Sequence, residues 1–314
     1  MKILIIHAGG TISMARTPDG FAPRKGVLEA ELERLRSSGQ IQSEVDIFAL
    51  DPLIDSAYCS PVDWNRMTGV ILDHHADYDA FIVTHGTDTL AYSAAALCFA
   101  LEGLAKPIIL TGSMLPLTEA GSDGGRNLKD SLSMVGSLPH GVWVQFAGRL
   151  LSGTRVWKTH SSSMEAFSAN PSGMPPHRRG PQLVRHVYKT PALAILPFAP
   201  GVSMDLFAYA MGMCDGLVLR CYGSGTAPDT PSLRAALAKA QERGMPVVAV
   251  SQCAEGGIAL GRYASDQLLL EHGVIDGRDM TVEAAYAKLA LALSMESSDD
   301  RDALLKQCIC GEFT

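Results

Sequence analysis

Seven short apolar runs recur along this chain, and each gives way to glycine or small residues. They are "ILIIHAGG" (3–10), "FIVTHG" (81–86), "PIILTGS" (107–113), "VWVQFAG" (142–148), "LAILPF" (193–198), "GLVLRCYG" (216–223) and "PVVAVSQC" (246–253). The runs are continuous rather than alternating and rich in Val, Ile and Leu. That is the pattern of strands buried on both faces of a parallel sheet. Helix-like segments lie between them. "TLAYSAAALCFALEGL" (89–104) is rich in Ala and Leu and closes near a glycine, and "DTPSLRAALAKAQERGM" (229–245) opens on Asp and Ser and closes on Arg243-Gly244. The alternation predicts an α/β fold.

The rhythm lapses between about 160 and 192, where "SSSMEAFSANPSGMPPHRRGPQ" is rich in Ser, Pro and Gly and has no period. It resumes at 193. The expected organisation is a larger N-terminal domain, residues 1–187, with a mainly parallel sheet flanked by helices. A linker at 188–192 leads to a smaller C-terminal α/β domain, residues 193–314.

Composition narrows the function. A net charge of −7, from 26 basic and 33 acidic residues, offers nothing to a nucleic-acid backbone. The most basic cluster, "PHRRG" (176–180), reads as a solvated loop. Seven cysteines, an odd number without a CxxC pair, argue against a disulfide scaffold and for a reducing compartment. No stretch approaches the ~20 apolar residues of a membrane span. The apolar run of "MKILIIHAGG" is too short for a signal-peptide core, so the expected location is cytoplasmic. Neither a G-x-x-x-x-G-K-[ST] loop nor a G-x-G-x-x-G turn after the first strand is present, so no nucleotide cofactor is expected. Cys308-Ile309-Cys310 has no histidine partner nearby, and no metal is expected either.

In open parallel sheets, ligands bind beyond the carboxyl ends of the strands, where the strand order reverses. That directs attention to Gly9-Gly10-Thr11, to Thr84 through Thr89, and to Thr111-Gly112-Ser113. Two glycines permit a sharp turn and close approach to backbone amides. Thr11 then reads either as a helix cap or as a hydroxyl facing a crevice. Thr87 and Asp88 read either as a helix N-cap or as part of a site. His85 reads either as a packed core histidine or as a base. A threonine hydroxyl is a poor nucleophile until a base takes its proton. Lys158, in "SGTRVWKTHSSS" (152–163), follows the fourth strand signal and can reach the same edge, although a lysine in a loop is equally a solvated cation.

Taken together, "HAGGTIS" (7–13), "THGTDTL" (84–90), "LTGSMLP" (110–116) and "TRVWKTH" (154–160) resemble the bacterial L-asparaginase family. "DPLIDSAYCSPVDW" (51–64), "GSDGGRNLKDSL" (121–132), "CYGSGTAP" (221–228) and "GVIDGRDMTVEAAYAKL" (273–289) follow in the family's order. The resemblance is to the cytoplasmic, type I branch. It implies an amidohydrolase that cuts L-asparagine to L-aspartate and ammonia without a cofactor, working as a homodimer or homotetramer. It implies Thr11 as nucleophile, with Thr87, Asp88 and Lys158 as the set that readies the water resolving the acyl-enzyme. Asp88 would also meet the substrate ammonium. Asp55 and Ser56 would hold the α-carboxylate, Gly86 and Ser113 would line the substrate, and backbone N–H groups near Thr11 and Thr87 would face the oxyanion.

Three positions depart from the family pattern. Phe21 stands where a tyrosine of a mobile closing loop is usual, and it can exclude water but not relay a proton. Thr226 replaces an asparagine that reaches the neighbouring subunit's site. Arg220 and Cys253 match a second, regulatory asparagine site, but Trp157 stands where that site has a small hydroxyl residue, so the site is expected to be altered or absent. The alternatives are a glutaminase-asparaginase of mixed specificity and a non-catalytic amino-acid-binding protein with the same fold.

Overall fold

The computed structural model describes residues 1–262 and 267–314. The chain opens with β1 (Lys2–Gly9), a hairpin of β2 (Met14–Thr17) and β3 (Gly20–Pro23), α1 (Val27–Ser37), β4 (Glu44–Ile54) and α2 (Pro61–Asp73). It continues through β5 (Ala80–Thr84), α3 (Leu90–Ala100), β6 (Leu101–Glu102), β7 (Pro107–Thr111), α4 (Gly124–Met134), β8 (Gly141–Phe146) and β9 (Arg149–Ser152). Short strands follow: β10 (Val156–Lys158), β11 (Phe167–Ala169) and β12 (Val184–Arg185). The second part holds β13 (Leu193–Pro197), α5 (Met204–Met213), β14 (Gly216–Cys221), α6 (Pro231–Glu242), β15 (Val247–Ser251), α7 (Gln267–Glu271), β16 (Ile275–Asp276), α8 (Val282–Ala292) and α9 (Ser298–Lys306).

Among the described residues two main sheets form. The first runs in the order β4-β1-β5-β7-β8-β9, parallel except for the β8–β9 pair. The second, β13-β14-β15-β16, is parallel throughout. This is the two-domain α/β architecture expected. All seven apolar runs became strands, and six are buried on both faces, whereas β13 is an edge strand and only half-buried. Leu4, Ile6 and Ala8 of β1 join the core formed with α2 and α3, whereas Ile3 and Ile5 pack with Leu28 and Leu32 of α1 and Leu128 of α4.

The two sheets do not have separate interiors. Phe81 and Val83 of β5 belong to one continuous core with Val218 of β14 and Val248 of β15. Between them lie α3 and α8, both buried almost all round, which explains why neither has a polar face. Their alanines permit close helix approach.

Some elements were not anticipated. Strand β4 has a mixed burial pattern with Glu44, Asp46 and Asp51 outside, because it is an edge strand. The aperiodic stretch before 192 contains β11 and β12, which pair only with β10 and β6. The basic cluster at 176–180 is not the solvated loop expected. Arg178 is mostly buried, donating to the Phe99 carbonyl at 2.8 Å and pairing with Glu102 at 2.9 Å. It satisfies a carbonyl that the end of α3 leaves without a helical partner. Arg179, beside it, is exposed.

Candidate active site

The strand order reverses at β1: the chain passes from β1 outward to β4, then back to β5 on the other side. A crevice beyond the carboxyl ends is expected there. The loops that follow β1 and β5 are in backbone contact at this point. A Cβ on Gly10 would come within 2.4 Å of the Gly86 nitrogen, and one on Gly86 within 2.3 Å of Ser56 Oγ. Gly10 has φ 90° and ψ 173°, a region that essentially only glycine occupies. These contacts bring Thr11, Thr87 and Ser56, each beside or at a contact, to one place.

Thr11 starts a short 3-10 turn, Thr11–Ser13, whose cap position is Gly10, so it is not a helix cap. It is half-buried. Thr87 is buried and Asp88 exposed, and α3 begins later, with Thr89 at its cap position. The capping reading of Thr87 and Asp88 therefore falls. Lys158 Nζ instead donates to Thr87 Oγ1 at 2.8 Å and to Asp88 Oδ1 at 2.7 Å. With its oxygen accepting from the lysine, the Thr87 hydroxyl keeps its own hydrogen for another partner. Asp55 accepts from the Ala57 amide at 3.0 Å, shaping the turn that presents buried Ser56, and Thr89 Oγ1 donates to the Ser56 carbonyl at 2.8 Å. The loops after β4 and β5 are thus joined.

His85 is a packed histidine, not a base. Its Nδ1 lies 2.8 Å from the Gly86 carbonyl, which only accepts, so Nδ1 carries the hydrogen. Nε2 then accepts from Ser93 Oγ at 2.9 Å, and that oxygen accepts from Trp64 Nε1 at 3.0 Å. Burial pushes the imidazole below its ordinary value of 6.5 against weaker opposing effects of Gly86 and Asp63, and the neutral ring fixes the loop at Gly86. His7 is held likewise, 2.7 Å from Thr84 Oγ1, and burial lowers it despite Glu29.

The loop after β7 meets the same place. A Cβ on Gly112 would lie 2.3 Å from the His85 carbonyl. Ser113 is buried, and its hydroxyl has no hydrogen-bond partner among the described residues. Two residues without an assigned role hold this loop. Asp123 accepts from the Met114 amide at 3.0 Å and the Leu115 amide at 3.1 Å, and Asn127 donates to the Gly112 carbonyl at 3.0 Å. Their spacing of four at the start of α4, just after a glycine-rich turn, was the available signal.

Lys158 also borders a cavity of about 540 Å³ shared with Tyr92, Trp157, Arg220, Cys253 and Glu283. Arg220 and Cys253, matched to a regulatory site, thus lie together with Trp157, the residue that departs from it. Burial raises the Glu283 carboxyl, with Arg220 among the opposing influences, and pushes the Tyr92 phenol up to about 12. Two other candidates stand apart from the threonines. Phe21 is exposed on the β2–β3 hairpin, with the Arg16 guanidinium 5.1 Å from its ring. Thr226 closes a turn with Tyr222 after β14, in the second part of the chain. Among the described residues no group of three His, Cys, Asp or Glu is placed to hold a metal, and no helix is long and apolar enough to cross a membrane.

What this arrangement offers is two strand-end hydroxyls, a lysine bonded to one of them, an adjacent carboxylate and the closely apposed backbones of the Gly10 and Gly86 loops. It suits attack on a carbonyl of a small polar molecule. Similarities to known proteins agree. Asparaginase N-terminal domains match residues 2–179, and glutaminase/asparaginase C-terminal domains match residues 193–304. L-asparaginase 1 of Escherichia coli (strain K12) is 36% identical, over 100% of this chain and 98% of that protein. L-asparaginase of Thermococcus kodakarensis is 34% identical, over 100% and 99%. The crystal structure of L-asparaginase I from Vibrio cholerae has a TM-score of 0.89 at 32% identity, covering 100% of this chain and 99% of that one.

Proposed function

This chain belongs to the asparaginase family, and on that premise we propose that it hydrolyses L-asparagine to L-aspartate and ammonia. The observation that carries the reading is the Lys158–Thr87 hydrogen bond of 2.8 Å, formed where Gly10 and Gly86 bring the Thr11 loop alongside.

In this mechanism Thr11 Oγ1 attacks the side-chain amide carbon. The developing oxyanion faces backbone N–H groups near Thr11 and Thr87. The proton lost by the Thr11 hydroxyl ends on the amide nitrogen, which leaves as ammonia, and an ester to Thr11 remains. A water held by Thr87, itself oriented by Lys158, adds to the ester carbon and releases aspartate with the Thr11 hydroxyl restored. One carboxylate oxygen of Asp88 holds Lys158, leaving the other for the substrate ammonium. Ser56, on the turn shaped by Asp55, donates to the α-carboxylate, and Gly86 and Ser113 line the amide end. Phe21 covers the substrate from the hairpin. Thr226 acts across a subunit contact.

The same reading makes the protein a cytoplasmic homodimer or homotetramer, divided into residues 1–187 and 193–314 by a linker at 188–192. The exposure of Asp55 and Asp88 supports a site covered by a second subunit. Glutamine is the competing substrate, since one methylene is worth only about 1–3 kcal/mol of discrimination. Ammonia release from each amino acid, compared as kcat/KM, tests the proposal. Turnover of asparagine at least tenfold better than glutamine is expected, and release from neither would overturn it in favour of a non-catalytic binding protein.

A further inference from the structure

We propose that Arg155 is the positioning residue for Lys158, and that Asp279 of the second domain is its anchor. This rests on the reading of Lys158 as part of the catalytic set.

Lys158 does not sit on the main sheet. Among the described residues its strand, β10, pairs only with β11, in a two-stranded ribbon of three residues each. A ribbon of that size is at best marginally stable alone. The far end of β10 continues in the same hairpin, with the Thr159 amide donating to the Ala166 carbonyl at 2.8 Å. Apolar packing of Val156 and Phe167 seats the ribbon against the core without direction, and Arg149 of β9 holds β11 by donating to the Phe167 carbonyl at 3.2 Å, but neither fixes the entry into β10 at Arg155. The near end needs a directional hold.

Arg155 supplies it. The residue ends the turn that leads from β9 into β10, three positions before Lys158. Its side chain is 1% exposed. Nη2 donates to Asp279 Oδ2 at 2.7 Å, and Nη1 donates to the Asp279 carbonyl at 3.1 Å and the Glu312 carbonyl at 2.5 Å. Asp279 is in turn fixed by the Thr314 amide at 2.8 Å and the Thr314 hydroxyl at 2.9 Å. Burial by itself would raise the Asp279 carboxyl, but the hydrogen bonds from Arg155 and Thr314 and the Arg155 charge outweigh it and hold it below its ordinary value. The planar guanidinium, held at two nitrogens by fixed acceptors, sets both position and direction of the backbone that enters β10. Thr154 Oγ1 adds a bond to the Cys310 carbonyl at 3.0 Å. The backbone that enters β10 is therefore fixed from the second domain, in addition to the hold of the main sheet on β11.

The test is a cycle of four enzymes: the unaltered protein, Arg155→Met, Lys158→Met and the double variant, assayed for ammonia release from asparagine, with folding checked by circular dichroism. A displacement of about 1 Å at a catalytic group costs roughly 100-fold. Arg155→Met is expected to lower kcat 10- to 100-fold with KM within threefold, and to change nothing further when Lys158 is already Met. Arg155→Lys should recover part of the loss. If Arg155→Met does not fold, Asp279→Asn is expected to show the same pattern. The proposal is overturned if kcat stays within twofold, or if it falls by the same factor in both backgrounds, which is what a purely structural residue does. Failure of the unaltered protein to release ammonia would count against the hydrolase reading instead.

Discussion

Nζ of Lys158 lies 2.8 Å from Oγ1 of Thr87, although 71 positions separate them and only Lys158 is on a strand, Thr87 following the end of β5. The bond joins the loop after β5 to the β10–β11 ribbon, and it decides what each residue can do. Removing one partner is expected to change the fold little, because Asp88, the other partner of Lys158, is open to solvent and pairs with one exposed member contribute little. Activity should respond differently. Lys158→Met and Thr87→Val are each expected to lower kcat by about 100- to 10,000-fold, the usual range for a positioned proton-transfer group. Melting temperatures should stay within a few degrees. Steady-state ammonia assays beside thermal melts check both.

Thr11→Ala should abolish turnover while leaving aspartate binding measurable by calorimetry, since the contacts proposed for the α-carboxylate and ammonium come from other loops. Thr11→Ser keeps the hydroxyl and should retain a fraction of the activity. Equal activity in the alanine variant would move the nucleophile's role elsewhere, with Thr87 the next candidate.

Gly10 and Gly20 both have positive φ, 90° and 115°, but their surroundings differ. A Cβ at Gly20 meets nothing within 4 Å, whereas at Gly10 it meets the Gly86 nitrogen at 2.4 Å and the His85 carbonyl carbon at 2.5 Å. Gly20→Ala is expected to cost about 1–3 kcal/mol from backbone strain alone. Gly10→Ala adds a backbone clash and should cost clearly more, with loss of activity in whatever remains folded. Chemical denaturation of the two variants separates strain from crowding.

Stability should fall as pH drops below about 6.5. Burial holds His7 and His85 below that ordinary value in the folded chain. Between the folded and unfolded values the unfolded chain binds more protons, so acid favours unfolding. The contribution is fully present above 6.5 and is lost as pH descends through the folded values. His85→Gln should flatten this part of the profile, at the expense of the bonds to Gly86 and Ser93, and urea midpoints measured from pH 8 to pH 5 would show it. A second decline is expected below 3.8, where Asp279, held low by Arg155 and Thr314, is protonated.

Much of this molecule could be read from residue order. The seven apolar runs became β1, β5, β7, β8, β13, β14 and β15, because strands packed on both faces, as all but the half-buried edge strand β13 are, leave a continuous apolar record. Strand β4 left none, since its outer residues include Glu44 and Asp46, and the ribbon of β10 and β11 is too short to carry a period. The role of His85 was open between core and base until its two nitrogens were seen to be occupied by Gly86 and Ser93.

The order of residues by itself determined the parallel sheets and the hydroxyl-rich loops at their carboxyl ends, because periodicity and glycine punctuation are local properties of a chain. Tertiary structure alone decided that the Thr11 and Thr87 loops touch through Gly10 and Gly86. It also decided that the entry into the strand of Lys158 is tied to the second domain. Arg155 finds its acceptors at Asp279 and Glu312, 124 and 157 positions along the chain. No local pattern encodes a bond across such a distance; it exists only once both sheets have packed around α3 and α8.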